Sequence, residues 1–215
     1  MVFIVFEGID NSGKSTQCRL LLERLEKEGY EAKMIDFPQY GKKSAALIEE
    51  YLSGKYGSAS EVSPYVASIF YACDRYDASF KIRQWLKEGK IVIADRYVGS
   101  NIGHQGGKIK NKDERLKFIR WVYDLEYNIF KIPKPDITFI LKVSPELSVE
   151  LASRKKESDI HERDLTHLRD AFNSYIEAAK IFPQDFVIIE CLKENKFLPK
   201  EEIHKKIWEF VKKLL

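Results

Sequence analysis

The nine residues Gly8-Ile9-Asp10-Asn11-Ser12-Gly13-Lys14-Ser15-Thr16 carry the spacing G-x-x-x-x-G-K-[ST]. They stand between an apolar run, Val2 to Phe6, and a stretch with leucines at helical intervals (Leu20, Leu21, Leu22, Leu25). Each residue type suits a polyanion. Glycines admit backbone angles closed to other residues, so successive N–H groups can turn inward around phosphate oxygens. A helix beginning near Gly13 points its positive end at the same place. Lys14 supplies a cation for the β- and γ-phosphates, and the Ser15 hydroxyl is a hard oxygen ligand suited to Mg²⁺. Pattern and context together specify a nucleoside triphosphate site.

Asp95-Arg96-Tyr97 follows directly on the apolar run Ile91-Val92-Ile93-Ala94. In an open parallel sheet, ligands gather at the carboxyl ends of strands, which predicts that this triplet faces the phosphate loop. There Asp95 can hold a metal-bound water, and Arg96 can bridge donor and acceptor phosphates. The loop alone does not separate GTPase switches, motor ATPases and small-molecule kinases. A GTPase would read guanine with N-K-x-D, and Asn111-Lys112-Asp113 lacks the spacer.

The elements that must position these groups alternate between strand and helix. Val2–Glu7, Ala32–Phe37, Ile91–Ala94, Ile137–Val143 and Phe186–Glu190 read as strands, with the first and third apolar throughout, as in a sheet buried on both faces. Helices are expected over Gly13–Glu28, from Ser63-Pro64 to Gly89, from an Asp113 cap to Ile129, and over Lys200–Leu215. The last would carry Ile203, Ile207, Phe210, Val211 and Leu214 on one stripe. The result is an α/β chain, three-layered, with a five-stranded parallel sheet flanked by helices. A charge-dense stretch, about 154–163, reads either as a solvated helix end or as a small lid.

Composition limits the alternatives. The chain has 215 residues, one domain spanning 1–215, with 44% hydrophobic and 13% aromatic content, enough to bury a core. Lys and Arg number 36 against 33 Asp and Glu, a formal charge of +3. That balance argues against a polybasic nucleic-acid binder. Cys18, Cys73 and Cys191 lie far apart and read as small buried thiols in a reducing, cytoplasmic setting. No apolar run approaches the ~20 residues of a membrane helix. A strand that begins at Val2 leaves no room for a signal or transit peptide. His161 and His167 lack a third ligand at metal spacing and read as exposed histidines.

In order and spacing these pieces resemble the thymidylate kinase family over essentially the whole chain. The resemblance rests on the phosphate loop with Asp10 in third position, Phe37-Pro38 after the second strand, and Tyr71-Ala72-Cys73-Asp74-Arg75 in the long helix. It continues through Asp95-Arg96-Tyr97, Ser100, Gln105-Gly106, Trp121, Glu126 and Pro135-Asp136. The resemblance implies a three-layer P-loop kinase fold and transfer of the γ-phosphoryl of ATP to dTMP, with Mg²⁺ held at Ser15 and Asp95. It also implies ATP on residues 8–16, and Lys14, Asp95, Arg96 and the lid arginines Arg154 and Arg163 around the transferring group. The implied dTMP site comprises Asp10, Phe37, Tyr71, Arg75, Arg96, Ser100, Asn101 and Gln105. Tyr71 would stack on thymine, Arg75 would bond the base, and Asp10 would accept from the sugar 3′-hydroxyl. Taken alone, Tyr71 and Arg75 read rather as a helix half-buried by Ile69, Phe70 and Tyr71, with Arg75 in a surface ion pair. Lys42, Lys43 and Arg96 are the candidates to neutralise the acceptor phosphate, and His104 stands where relatives commonly carry a tyrosine near the ribose. A homodimer through helices flanking the sheet is also implied. Two alternatives stay open: a deoxynucleoside kinase or other pyrimidine monophosphate kinase, with Glu7 as a conceivable general base in the former, and a nucleotide-binding switch module.

Overall fold

The chain was analysed as a computed structural model that describes residues 1–58, 61–153 and 164–215. The expected lid, with Arg154, His161 and Arg163, lies outside the described residues.

The central sheet is parallel and ordered β2-β3-β1-β4-β5. Its strands are β1 (Phe3–Glu7), β2 (Ala32–Asp36), β3 (Ile91–Asp95), β4 (Ile137–Lys142) and β5 (Phe186–Glu190). β1 lies between β3 and β4, with Phe6 opposite Asp95 and Glu7 opposite Ile140. Every residue of β1 and of β3 is buried, which is why both read as unbroken apolar runs. Alternation along β1 divides the core. Phe3 and Val5 face one hydrophobic layer and Ile4 and Phe6 the other.

Helices α1 (Lys14–Lys27) and α8 (Lys200–Val211) cover the Ile4 face through Cys18, Leu21, Leu25, Ile203, Ile207 and Val211. The Phe3 face is covered by α3 (Pro64–Lys87), α5 (Lys112–Tyr123) and α7 (Leu165–Ile181), which contribute Ile82, Phe118, Ile119, Leu168 and Tyr175. Two shorter helices, α2 (Ala46–Leu52) and α6 (Pro145–Ser153), complete the described helical layers. After β3 the chain forms α4 (Val98–Ser100), a π turn (Asn101–Gln105) and a 3₁₀ turn (Gly106–Lys108). A small hairpin, β6 (Leu192–Lys193) with β7 (Lys196–Phe197), precedes α8.

Several expectations need correction. Asn111, not Asp113, caps α5: its side chain accepts from the Glu114 N–H at 3.0 Å, leaving Asp113 in the first turn. The α-helix then stops at Tyr123 and gives way to a π turn (Asp124–Ile129). The last helix ends at Val211; Ile203, Ile207 and Val211 are buried, whereas Phe210 and Leu214 are each 37% exposed, Phe210 reaching only the edge of the Phe139 ring at 6.0 Å between centroids. Cys18 and Cys191 are buried, but Cys73 lies on the outer face of α3 and is exposed.

The segment after β3 packs closely on α7. A Cβ on Gly103 would lie 2.2 Å from the Tyr175 ring, and that ring cannot swing away, since it is buried and its hydroxyl donates to Glu7 at 2.9 Å. Gly103→Ala should therefore destabilise the protein by about 1–3 kcal/mol through overpacking, read as a lower urea midpoint. An unchanged midpoint would refute this close contact.

Candidate active site

The phosphate loop leaves β1 at Gly8, whose φ of +137° and absent side chain are both required. A Cβ there would stand 2.8 Å from the Leu141 carbonyl oxygen. Asn11 (φ +57°) and Arg96 (φ +68°) also hold left-handed backbone angles without being glycine, a cluster of strain of the kind found at functional sites. The loop is tied to α6: Ser148 Oγ donates to the Asp10 carbonyl at 2.6 Å, and Asn11 Nδ2 donates to the Ser148 carbonyl at 3.3 Å.

Lys14 lies across this loop, its Nζ donating to the Ile9 carbonyl at 2.9 Å. Burial, together with nearby Arg96, lowers its ammonium to about 8, although Asp10, Asp95 and Glu7 pull the other way. Ser15 and Thr16 are exposed in the first turn of α1. The Ser15 hydroxyl donates to Asp95 Oδ2 at the carboxyl end of β3, which joins the two constellations predicted to face each other. This hydroxyl and carboxylate beside a polyphosphate loop are the hard oxygen donors that Mg²⁺ takes, so the donor set fits that ion.

Arg96 is the hub. Its Nη1 lies 3.2 Å from the Gly8 carbonyl, 3.4 Å from Ser100 Oγ and 3.1 Å from His104 Nε2, while Nη2 pairs with Asp10. Burial alone would push the Asp10 carboxyl up, but the Arg96 guanidinium, helped by Lys14, outweighs it and holds the group well below the usual carboxylate range. Glu7, the last residue of β1, is fully buried. It accepts from Tyr97 N–H at 2.7 Å, Ser100 N–H at 2.9 Å, Ser100 Oγ at 2.8 Å and Tyr175 OH.

A cleft opens beside Arg96. Its walls include Asp10, Phe37, Tyr71, Arg75, Arg96, Ser100, Asn101 and Gln105, so every residue expected at a dTMP site meets there. Arg75 is not in a surface ion pair. It is 1% exposed and makes a two-pronged pair with Glu126, Nε to Oε2 at 2.6 Å and Nη2 to Oε1 at 2.7 Å. Asn101 Nδ2 donates to the same Glu126 at 3.2 Å and to the Ser68 carbonyl at 3.0 Å. Gln105 is buried, with Oε1 unpartnered among the described residues. Lys42 and Lys43 are exposed and do not line the cleft. His167 is half-buried rather than exposed, stacked on His104 with ring centroids 5.5 Å apart.

A family model described as thymidylate kinase matches residues 6–207. The chain belongs to the thymidylate kinase family. It is 32% identical to the probable thymidylate kinase of Thermococcus kodakarensis, an alignment covering 100% of this chain and 98% of that one. Identity to the thymidylate kinase of Thermoanaerobacter sp. is 29%, over 99% and 98% of the two chains. A solved thymidylate kinase structure from Candida albicans shares the fold, with a TM-score of 0.73 and 24% identity over 99% of this chain and 91% of that one. The family's enzymes are ATP-dependent nucleoside monophosphate kinases, and this chain is one of them.

Sequence reasoning missed some cleft residues. Tyr51 and Leu52 come from α2, which was not predicted, and Lys108 follows the π turn. Lys108 Nζ donates to the Tyr51 hydroxyl at 2.6 Å, and burial lowers it to about 8.

The position of Lys14 sets a pH dependence. Its cationic form binds a polyanion, and the unliganded protein begins to lose that form as pH rises through about 8. Affinity for ATP should therefore fall above this pH, by up to about tenfold per unit, in fluorescence titrations from pH 7 to 10. A flat profile would contradict the buried placement of Lys14.

Proposed function

We propose that the chain transfers the γ-phosphoryl group of ATP to the 5′-phosphate of dTMP, giving ADP and dTDP, across the junction between phosphate loop and cleft. An oxygen of the acceptor phosphate forms a bond to the γ-phosphorus. The bond from that phosphorus to the β,γ-bridging oxygen breaks, and its electron pair leaves with ADP. The observation that carries this reading is the convergence of eight acceptor-site side chains on one cleft whose guanidinium, Arg96, also touches the loop.

In this reading residues 8–16 cradle the ATP phosphates with backbone N–H groups, and Lys14 neutralises the β- and γ-oxygens. Arg96 draws the acceptor phosphate toward the γ-phosphorus, offsetting the repulsion between two anions. Tyr71 stacks on the base, Phe37 closes the opposite wall, and Arg75, Asn101 and Gln105 present polar groups to the base edge. Asp10 and Ser100 face the sugar and phosphate. Ser15 and Asp95 would hold Mg²⁺, which when bound supplies charge neutralisation on the triphosphate. Arg154 and Arg163 remain candidates for further charge at the transferring group and lie outside the described residues.

A deoxynucleoside kinase would need a general base at a sugar hydroxyl. Glu7, the carboxylate conceivable for that role, has four donors on its two oxygens and does not line the cleft. With Mg²⁺ and ATP, dTMP should release ADP while thymidine does not. Lys14→Met should lower kcat by about 10²–10³-fold with an unchanged melting temperature. Equal turnover of thymidine, or normal turnover by the Met variant, would sink the reading.

We also propose a homodimer working in the cytoplasm. Three free cysteines agree with a reducing compartment, and no helix among the described residues is long and apolar enough to cross a membrane. Val66, Ile69, Cys73, Tyr76 and Phe80 form an exposed stripe along α3, with Phe80 63% exposed, the pattern of a covered helix face. Sedimentation should give twice the 25.1 kDa chain mass, and Phe80→Glu should give the single chain. A wild-type monomer would end the proposal.

A further inference from the structure

We infer that His104 and His167 are positioning residues for Arg96, two neutral imidazoles whose directed hydrogen bonds fix the guanidinium at the acceptor end of the cleft. The inference rests on reading that end as the acceptor-phosphate site.

The direction of the chain follows from the inventory of protons. Arg96 Nη1 is 3.1 Å from His104 Nε2, and His104 Nδ1 is 3.3 Å from His167 Nε2. A guanidinium carries N–H groups only and cannot accept. His104 Nε2 must therefore be the bare, accepting nitrogen, and its proton sits on Nδ1. That N–H points at His167 Nε2, which must also be bare, so the His167 proton lies on its own Nδ1. Both rings thus adopt the same tautomer, each set by the bond the other nitrogen makes.

The arrangement works only with two uncharged rings. A proton on His104 Nε2 would face the Arg96 N–H, and one on His167 Nε2 would face the His104 N–H. The surroundings favour neutrality at His104. Burial, Arg96 and Lys14 all disfavour an imidazolium there, and together they outweigh Asp10, so its pKa lies well below the ordinary value. The Tyr175 ring packs edge-on to His104 at 6.0 Å between centroids and adds no charge in that state.

Arg96 needs such a hold. Its backbone is left-handed, and Asp10 draws its Nη2 toward the phosphate loop. His104 holds Nη1 from the π turn after β3, and His167 passes that hold to the first turn of α7. The guanidinium plane is then fixed from two sides before any phosphate arrives, which lowers the ordering cost of binding one.

Nitrogen-15 NMR on histidine-labelled protein reads the tautomers directly. His104, identified by the signal lost in His104→Gln, should show a protonated Nδ1 and a bare Nε2 at pH 7.5. An Nε2–H tautomer or an imidazolium would overturn the inference, and neither outcome depends on the acceptor.

Kinetics supply the second arm. His104→Leu should raise KM for dTMP about tenfold, the loss expected for a hydrogen bond to a charged group, and move KM for ATP less than twofold. His104→Gln, whose Oε1 accepts while Nε2 donates, should recover KM for dTMP to within about threefold of wild type. Equal impairment of the Leu and Gln variants, or an unmoved KM for dTMP, would overturn it. His167→Leu makes the same test should His104→Leu fail to fold. If no monophosphate is turned over while the tautomers are as described, the acceptor reading fails and the histidine chain stands.

Discussion

The site depends on a carboxylate that is fully buried and does not line the cleft. Glu7 ends β1 inside the protein, where an unpaired negative charge would cost several kcal/mol. Burial raises its pKa, and Arg96 with the hydrogen bonds from Ser100, Tyr97 and Tyr175 offsets only part of that rise. Those donors come from the segment after β3 and from α7, so one side chain ties together three parts of the chain distant in sequence. The phosphate loop begins at the next residue, Gly8, and Arg96 immediately precedes Tyr97. The loop and its facing arginine are thereby held in register by a group that belongs to neither.

Outward from this knot, the cleft separates into two electrostatic environments. At one end Arg96 shares its N–H groups among Asp10, the Gly8 carbonyl, Ser100 and His104. That end presents a cation already oriented by its neighbours. At the other end Arg75 is neutralised by Glu126, and the same carboxylate also receives Asn101. A guanidinium paired in this way offers directed hydrogen bonds without a net field, which suits an uncharged base better than a phosphate. The two arginines therefore present different chemistry, and the difference comes from their neighbours.

Much of this architecture was legible in the sequence. The buried strands announced themselves as apolar runs, the phosphate loop by its spacing, and α3 by Ser63-Pro64, which caps the helix as expected. The same device, Ser144-Pro145, opens α6, and Leu168, Ala171, Tyr175 and Ala178 recur at helical spacing behind the Asp164 cap of α7. The charge-dense stretch 154–163 between these two helices obscures both signals in the sequence. Other features had no local signal at all. Arg75 meets Glu126 across 51 positions and His104 meets His167 across 63, partnerships that exist only once the sheet and its helices have brought them together. Cys73 misled for a related reason: an apolar helix face reads as core whether it turns toward the sheet or away from it.

The π turn at Asp124–Ile129 makes chain length itself a constraint. Each residue of regular α-helix advances the side chains by about 100°, and the wider turn takes up one extra residue per circuit. Excising a single residue there would restore an ordinary helix while rotating Glu126 out of line with Arg75 and Asn101, leaving a buried guanidinium without its counterion. Substitutions that keep the count intact would pass over this dependence, whereas a one-residue deletion would expose it.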